Sequence, residues 1–259
     1  MAYVMLGRTQ QLEDIHIVEK TCKFDPTHIR VCPIALEESN RIHNAFQAIK
    51  AKEELVWQSH FTISYLNVNR LLRNLRHVKA DHLLMKSNAV CLAETWLHAN
   101  DVVELDGYQN CLVNGGDGKG LAAFSQLESN EWQRFSNEKI SAILMVTEKV
   151  NVIYLYLSQQ FDCDVLKKRL DSWIDTEKMV AVMGDMNIDY LDQKHPLKDY
   201  LAGKNFVQLV KKPTHERGNL LDHVYVNPKL LITEPIVTQR SVYFSDHDVI
   251  VLQIPQEYM

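Results

Sequence analysis

The chain has 259 residues, of which 46% are hydrophobic and 24% are charged, so it can bury a core of ordinary size. Its formal net charge of −5 argues against a surface that is basic throughout, which is typical of duplex-binding domains. The five scattered cysteines, with no C-x-x-C pair, argue against a zinc site or a disulfide scaffold. No apolar run is long enough to span a bilayer, so we expect an intracellular protein without a membrane partner.

The amino-terminal part differs in pattern from the rest. Two short strands, Ala2–Leu6 and Ile15–Val18, are predicted around a polar turn. A helix follows over Leu36–Leu55, because apolar residues recur at spacings of four and three along one face. The pattern then changes, which predicts one domain over residues 1–56 and a second over residues 57–259.

The second domain is predicted to alternate strands with shorter helices. Its first half contains a strand, a helix and two further strands, at Phe61–Val68, Arg70–Lys86, Ala89–Leu97 and Lys119–Phe124. A hairpin rich in β-branched and aromatic residues follows over 140–157, turning at 147–149. The second half contains helices at Val165–Ile174 and Leu197–Leu201, and strands starting at Met179, Phe206, Leu221, Val237 and Val249. This order predicts an α/β or α+β fold in which two sheets pack face to face, with helices outside.

The predicted helix at Arg70–Lys86 has an unusual concentration of positive charge. It contains Arg70, Arg73, Arg76, Lys79 and Lys86, and only Asp81 opposes them. Such a segment is either a solvated helix face or a surface that follows nucleic-acid phosphates. Both interpretations stay open at the level of sequence.

Polar side chains end or interrupt the apolar strands at five places. They are Asn67 with Asn69, Glu94, Asp185 with Asn187, Asp222, and Asp246 with His247. Each alone is compatible with an ordinary turn. A charge buried without a partner is costly, so residues placed in this way should face one another or a metal ion. Carboxylate and amide oxygens favour Mg²⁺ or Mn²⁺ over zinc, which predicts metal-assisted attack of water on a phosphate ester.

Six segments carry a resemblance to a known family. In chain order they are ISYLNVNRL, AVCLAETWL, VIYLYLS, VAVMGDMNID, LLDHVYVN and YFSDHDVIVLQI. Together, over roughly residues 60–255, they resemble the endonuclease/exonuclease/phosphatase superfamily, and within it the AP-endonuclease-like nucleases of LINE-type retrotransposons. The resemblance implies a DNase I-like fold, a four-layered β-sandwich with flanking helices. It also implies a Mg²⁺-dependent endonuclease that acts on DNA, and therefore a nuclear location.

The resemblance assigns a metal site to three residues. Glu94 would be the principal ligand, Asn69 occupies a position that the family often fills with Asp, and Asp246 would face the metal region. Asn67 would orient this group. Because Asn69 carries no charge, metal affinity should be weaker than with Asp at this position.

The resemblance assigns the remaining residues to the water and the phosphate. Tyr154 would contact the scissile phosphate, Asp185 would align or deprotonate the attacking water, and Asn187 would hold the phosphate or water. Asp222 would fix the tautomer of His247, which would bind the phosphate. The chain departs from the family at Leu155, where retrotransposon members carry a basic residue.

A second resemblance lies at the amino terminus. AYVMLGRTQQLEDIHIVE resembles the last conserved block of the superfamily-one helicases of Helitron-type transposons, with Arg8 at the position of a nucleotide-contacting arginine. A helicase remnant followed by an endonuclease implies an origin in a transposable element. Two alternatives stay open: a phosphatase of the same fold acting on another substrate, and a decayed DNA-binding module. No obligate protein partner is predicted.

Overall fold

The computed structural model describes residues 40–44, 59–115, 118–127, 131–191 and 194–259. The chain divides into two compact units, Met1–Lys52 and Glu53–Met259. The described residues of the first unit, 40–44, are helical and exposed, and they fall within the helix predicted there. The predicted amino-terminal strands, the helicase-like segment with Arg8 and the predicted boundary after residue 56 lie outside the described residues. No helix in the described ranges is both long enough and apolar enough to cross a membrane.

The second unit contains twelve described strands and four described α-helices. The strands are β1 (His60–Asn67), β2 (Ala89–Ala93), β3 (Gln109–Val113), β4 (Leu121–Ser125), β5 (Glu131–Ser136), β6 (Ile140–Val146), β7 (Val150–Leu157), β8 (Met179–Asp185), β9 (Val207–Gln208), β10 (Asp222–Val226), β11 (Ile236–Arg240) and β12 (Val249–Pro255). The helices are α1 (Leu71–Ala80), α2 (Cys163–Trp173), α3 (Pro196–Gly203) and α4 (Pro228–Leu231).

The strands form two six-stranded mixed sheets. The first has the order β11-β12-β1-β2-β4-β3, and the second has the order β5-β6-β7-β8-β10-β9. In the first sheet β1 is parallel to β2 and antiparallel to β12. In the second sheet β8 is parallel to β7 and antiparallel to β10. The carboxyl ends of β1 and β2 therefore lie side by side in the first sheet, and those of β7 and β8 lie side by side in the second.

The sheets pack face to face around a shared apolar core. Tyr65 and Cys91 of the first sheet belong to the same buried cluster as Tyr154 and Met183 of the second. Apolar residues of α1 cover the outer face of the first sheet, and those of α2 and α3 cover the outer face of the second. Because both faces of the central strands are covered, their residues are buried on both sides, including the polar Thr62, Ser64 and Asn151. The predicted four-layered DNase I-like sandwich is confirmed.

Several element boundaries differ from prediction for local reasons. The strand predicted over Ala89–Leu97 ends at Ala93, because Glu94 and Trp96 adopt positive φ angles of 50° and 54°. The helix predicted over Arg70–Lys86 ends at Ala80. Asp81 caps the next turn, since its side chain accepts hydrogen bonds from the backbone N–H groups of Leu83 and Leu84. Strands β3 and β5 were not predicted.

Candidate active site

The topology brings the predicted polar residues to one end of the sandwich. Asn67 ends β1, and Glu94 directly follows the parallel strand β2. Asp185 ends β8 and pairs directly with Asp222, the first residue of antiparallel β10. His247 precedes β12, whose amino end lies beside the carboxyl end of β1. The two sheets therefore present their polar ends to each other.

A cleft of about 370 Å³ lies between these strand ends. Seven of the nine predicted site residues line it: Asn67, Asn69, Glu94, Asp185, Asn187, Asp246 and His247. Asp222 lies behind the cleft wall in contact with His247, and Tyr154 lies elsewhere.

Asp185 is almost fully buried and is held in place from several directions. One carboxylate oxygen accepts a hydrogen bond of 2.9 Å from the Asn67 amide nitrogen, and the other accepts one of 2.9 Å from the backbone N–H of Asn187. The Asp185 N–H donates to the Tyr65 hydroxyl, which in turn donates to the Leu155 carbonyl. Burial and the charge of Asp222 raise the pKa of Asp185 above the usual range, although His247 and Asn67 oppose the shift.

Gly184 allows β8 to carry Asp185 into this position. Its φ angle of 153° is rarely adopted by residues with a side chain, and a Cβ added there would collide with the Leu155 carbonyl. Leu155 is its partner in the parallel pairing of β7 and β8. A glycine is therefore required by close backbone approach, in addition to ending the apolar run.

Asp222 and His247 form a buried pair behind Asp185. His247 Nδ1 lies 2.8 Å from Asp222 Oδ2, and since a carboxylate can only accept, Nδ1 donates. The Thr214 hydroxyl donates to the same Asp222 oxygen at 2.6 Å. His247 Nε2 lies 3.9 Å from Asp185 Oδ2 and faces the cleft. Burial disfavours the imidazolium, but the charges of Asp222, Asp185 and Asp246 outweigh it and raise the pKa of His247 to about 9.

Candidate oxygen ligands for a metal also line the cleft. Glu94 Oε1 accepts a hydrogen bond of 2.9 Å from the Tyr156 hydroxyl, which orients the carboxylate. Asn69 adopts a positive φ of 41°, and its backbone N–H donates a hydrogen bond to the side-chain oxygen of Asn67. Asp246 lies 3.4 Å from His215 Nε2. The cleft thus offers the carboxylates of Glu94 and Asp246 and the amide oxygen of Asn69. This donor set fits a hard divalent cation.

Asn187 completes the end of β8. It adopts a positive φ of 49°, and its side-chain amide donates to the Leu157 carbonyl at 2.7 Å. The side chain is half-buried and lines the cleft. One amide N–H is therefore used to fix the side chain, while among the described residues its carbonyl oxygen and second N–H have no partner and could contact a bound group.

The prediction for Tyr154 is corrected by its position in the core. Its side chain is fully buried between the sheets, and its hydroxyl has no hydrogen-bond partner in the described part of the chain. Tyr156 points to the same side of β7 but lies two residues closer to the strand end, where it contacts Glu94. Of the two tyrosines, Tyr156 is therefore the one that contacts a residue of the cleft. Leu155 faces the outer core, so a basic side chain could not reach the cleft from that position.

Other residues of the site were not predicted. Thr214 fixes Asp222, and the His215 ring packs edge-on against His247 with centroids 4.7 Å apart. Asp189 accepts hydrogen bonds from Asn219 and from the backbone of Leu220, which joins the loop after β8 to the segment before β10. The polar segment at residues 214–219 does not end an apolar run, so its sequence offered no reason to select it, and only the fold identifies these contacts.

Comparison with known families agrees with this geometry. The profile of the Endonuclease/Exonuclease/phosphatase family matches residues 64–247, which is more than half of the chain. The chain belongs to this family. The match runs from β1 to His247 and so includes every cleft-lining residue named above. No curated protein sequence matches the chain.

Solved structures of family nucleases share the fold. The endonuclease domain of TRAS1, a telomere-specific non-LTR retrotransposon, is 14% identical with a TM-score of 0.59, covering 76% of this chain and 98% of that domain. An AP endonuclease from Archaeoglobus fulgidus is 20% identical with a TM-score of 0.60, covering 75% and 99%. The AP endonuclease LMAP from Leishmania major is 14% identical with a TM-score of 0.60, covering 77% and 89%. These likenesses establish the fold, an α+β sandwich of two mixed sheets flanked by helices.

Proposed function

We propose that this protein is a divalent-metal-dependent endonuclease that hydrolyses DNA phosphodiester bonds in the nucleus. The observation that carries the proposal is the buried contact between Asn67 and Asp185 across the two sheets, with the Asp222–His247 pair directly behind it. Such an arrangement contributes little to folding, because the cost of removing charged groups from water can exceed the attraction between them. It fits a site that must hold a carboxylate and an imidazole at fixed positions.

Asp185 is proposed to align the attacking water and accept its proton. One of its oxygens is fixed by Asn67 and the other by the Asn187 backbone, so the remaining lone pairs have a defined direction. A pKa raised by burial makes the carboxylate a better proton acceptor than an exposed aspartate. Asn187 would present its free amide group to the same water or to the phosphate.

His247 is proposed to bind the phosphate through Nε2. Asp222 accepts a hydrogen bond from Nδ1–H, so the ring is held in orientation and its positive charge is stabilised. That charge would offset the charge that develops on the phosphoryl oxygens.

Glu94, Asn69 and Asp246 are proposed to hold Mg²⁺ or Mn²⁺. When bound, the ion would polarise a phosphoryl oxygen and stabilise the leaving group. Tyr156 would orient Glu94 through their hydrogen bond of 2.9 Å.

A DNA substrate is supported by charge next to the cleft. Arg70, Arg73 and Arg76 line a groove that shares Asn69 and Asp246 with the cleft, although the chain as a whole is acidic. A localised basic surface of this kind fits a polyanion better than a small phosphomonoester. An origin in a transposable element is supported by the helicase-like sequence at residues 2–19, and it stays a proposal.

The test is relaxation of supercoiled plasmid by the purified chain. We expect nicking with Mg²⁺, none with EDTA, and none with His247→Ala in the presence of Mg²⁺. The matched control is Lys168→Ala, which removes an exposed charge from α2 and should leave the rate unchanged. A wild-type protein that binds Mg²⁺ but releases phosphate only from monoesters would overturn the proposal in favour of a phosphatase.

A further inference from the structure

A second depression, of about 810 Å³, opens beside the catalytic cleft. We call it the arginine groove; it is lined by Arg70, Arg73, Arg76, His77, Tyr243 and Phe244, among others. Asn69 and Asp246 line both the groove and the cleft, so the two are continuous. A ligand that occupies the groove therefore leads directly to the proposed metal site.

The groove carries positive charge on α1 and on the residue that precedes it. All three arginines are exposed. Arg73 and Arg76 lie three residues apart on α1, and Arg70 directly precedes the helix, with its guanidinium over the Trp96 ring. None of the three guanidinium groups forms an ion pair within the described ranges. The acidic residues of the groove, Glu216 and Asp246, lie on segments next to the cleft. The charge distribution is suited to successive phosphates that end at the metal site.

The groove also contains a solvent-exposed aromatic side chain, Tyr243. Tyr243 is 83% exposed, the most exposed of the large hydrophobic residues in the described part of the chain. Its hydroxyl shares a hydrogen bond of 2.6 Å with His77 Nδ1. Its ring also meets the rings of His77 and Phe244 edge-on, at centroid distances of 5.1 and 5.4 Å. The ring is therefore fixed in position while most of its surface faces solvent.

Tyr243 has no evident structural reason for this exposure. Burying an aromatic ring is favourable, so a large ring left in solvent but held by three contacts is unusual. Stacking on a ligand would use the exposed face and would benefit from the fixed orientation, because little conformational entropy remains to be lost.

We propose that the arginine groove binds an unpaired segment of DNA, with phosphates against Arg70, Arg73 and Arg76 and a base stacked on Tyr243. The inference rests on the proposed nuclease function and specifies its substrate as a duplex with an adjoining single strand. In a duplex the faces of the bases are covered by their neighbours. An unpaired base presents a free face, and basic grooves with exposed aromatic rings bind single strands in this way.

The test measures binding without cleavage. A fluorescein-labelled duplex with a single-stranded overhang and a blunt duplex of the same total length are titrated with the full chain in EDTA, and anisotropy gives each Kd. Tyr243→Ala removes the ring, and Tyr243→Phe keeps the ring but removes the hydrogen bond to His77. Tyr258→Ala, at a 43% exposed tyrosine that lines neither depression, is the control.

We expect Tyr243→Ala to weaken binding of the overhang duplex about tenfold, and binding of the blunt duplex less than about twofold. Tyr243→Phe should retain most of the affinity, and Tyr258→Ala all of it. With 2-aminopurine placed along the overhang, one position should show quenching that Tyr243→Ala abolishes and Tyr243→Phe retains. Equal losses on both DNAs, no loss on either, or no quenching at any position would overturn the inference.

The outcome of the binding experiment can be distinguished from the outcome of the nicking experiment. Binding in EDTA requires neither a metal ion nor an active Asp185. If plasmid nicking fails but Tyr243→Ala weakens overhang binding selectively, the groove binds single strands and the catalytic assignment is wrong. If nicking succeeds but Tyr243→Ala has no effect on binding, the catalytic assignment stands and the proposed single-strand site is wrong.

Discussion

His247 and Asp222 share a hydrogen bond of 2.8 Å at a place where both side chains are almost inaccessible to solvent. The bond fixes the ring so that Nε2 points toward Asp185 and the cleft. It also holds a positive charge on the imidazole, because burial alone would favour the neutral ring. The orientation of His247 thus depends on a buried carboxylate that does not itself line the cleft, and the same carboxylate contributes most among the three that stabilise its charge.

Asp222→Asn should therefore lower the rate of plasmid nicking by about a hundredfold or more, with little change in fold. The asparagine is isosteric, but it cannot stabilise the imidazolium and can present an N–H to Nδ1. The control is Asp248→Asn. Asp248 is next to His247 in sequence, but its carboxylate accepts a hydrogen bond of 3.1 Å from the Gln239 amide. Nicking by Asp222→Asn at the rate of Asp248→Asn would show that the pair has no role in catalysis.

Two tyrosines of β7 should behave differently although they lie on the same side of the strand. Tyr156→Phe removes the hydrogen bond to Glu94 and should raise the Mg²⁺ concentration for half-maximal nicking about tenfold. Tyr154→Phe removes a buried hydroxyl that has no partner within the described residues, so activity should stay unchanged and stability should not fall. Urea unfolding of both variants checks that the fold is retained. A larger Mg²⁺ effect from Tyr154→Phe would contradict the corrected assignment.

Gly184→Ala should lower the free energy of unfolding by about 3 kcal/mol or more, because the new Cβ meets the Leu155 backbone at a strained φ angle. Gly203→Ala is the matched control: it lies in α3, and its Cβ would meet nothing within 4 Å. That substitution should raise stability by about 0.4–1 kcal/mol. Urea unfolding measures both, and equal stabilities would contradict the close approach of β7 and β8.

His223 should make stability depend on pH. Burial lowers the pKa of its imidazole to about 4, against about 6.5 in an unfolded chain. The unfolded state therefore binds more protons between these values, and stability is lost as pH falls from about 6.5 to 4, by about 3 kcal/mol in total. His223→Gln, which can still donate to the carbonyls of Ile188 and Leu220, should reduce this slope. The exposed His82→Gln should not, and identical slopes for all three proteins would exclude His223 as the cause.

The sequence was sufficient to predict the sandwich and most of the polar strand ends. The apolar runs that end in Asn67 and Asp185 are local signals, and both residues end strands at the cleft. His247, just before the apolar run of β12, also lines the cleft. The edge strand β5 was not predicted because most of its residues are exposed and it has little apolar content. Edge strands are defined by the partner they pair with, which composition alone does not specify.

The face of the sheet on which a side chain lies could be predicted, but its distance from the cleft along the strand could not. Tyr154 and Tyr156 share the same parity, so alternation places both on the inner face of the second sheet. Only the stagger of the two sheets determines which of them reaches Glu94. Thr214 and His215 show the same limit, because their roles depend on a loop that packs against residues distant in sequence.

The central claim is that Asp185, held by Asn67 and faced by His247, activates water for attack on a DNA phosphate. The most direct measurement is the single-turnover rate of plasmid nicking in Mg²⁺ by Asp185→Asn, compared with wild type and with Lys168→Ala. We predict a fall of about a hundredfold or more for Asp185→Asn and no change for Lys168→Ala. Nicking by Asp185→Asn at the wild-type rate would contradict the account.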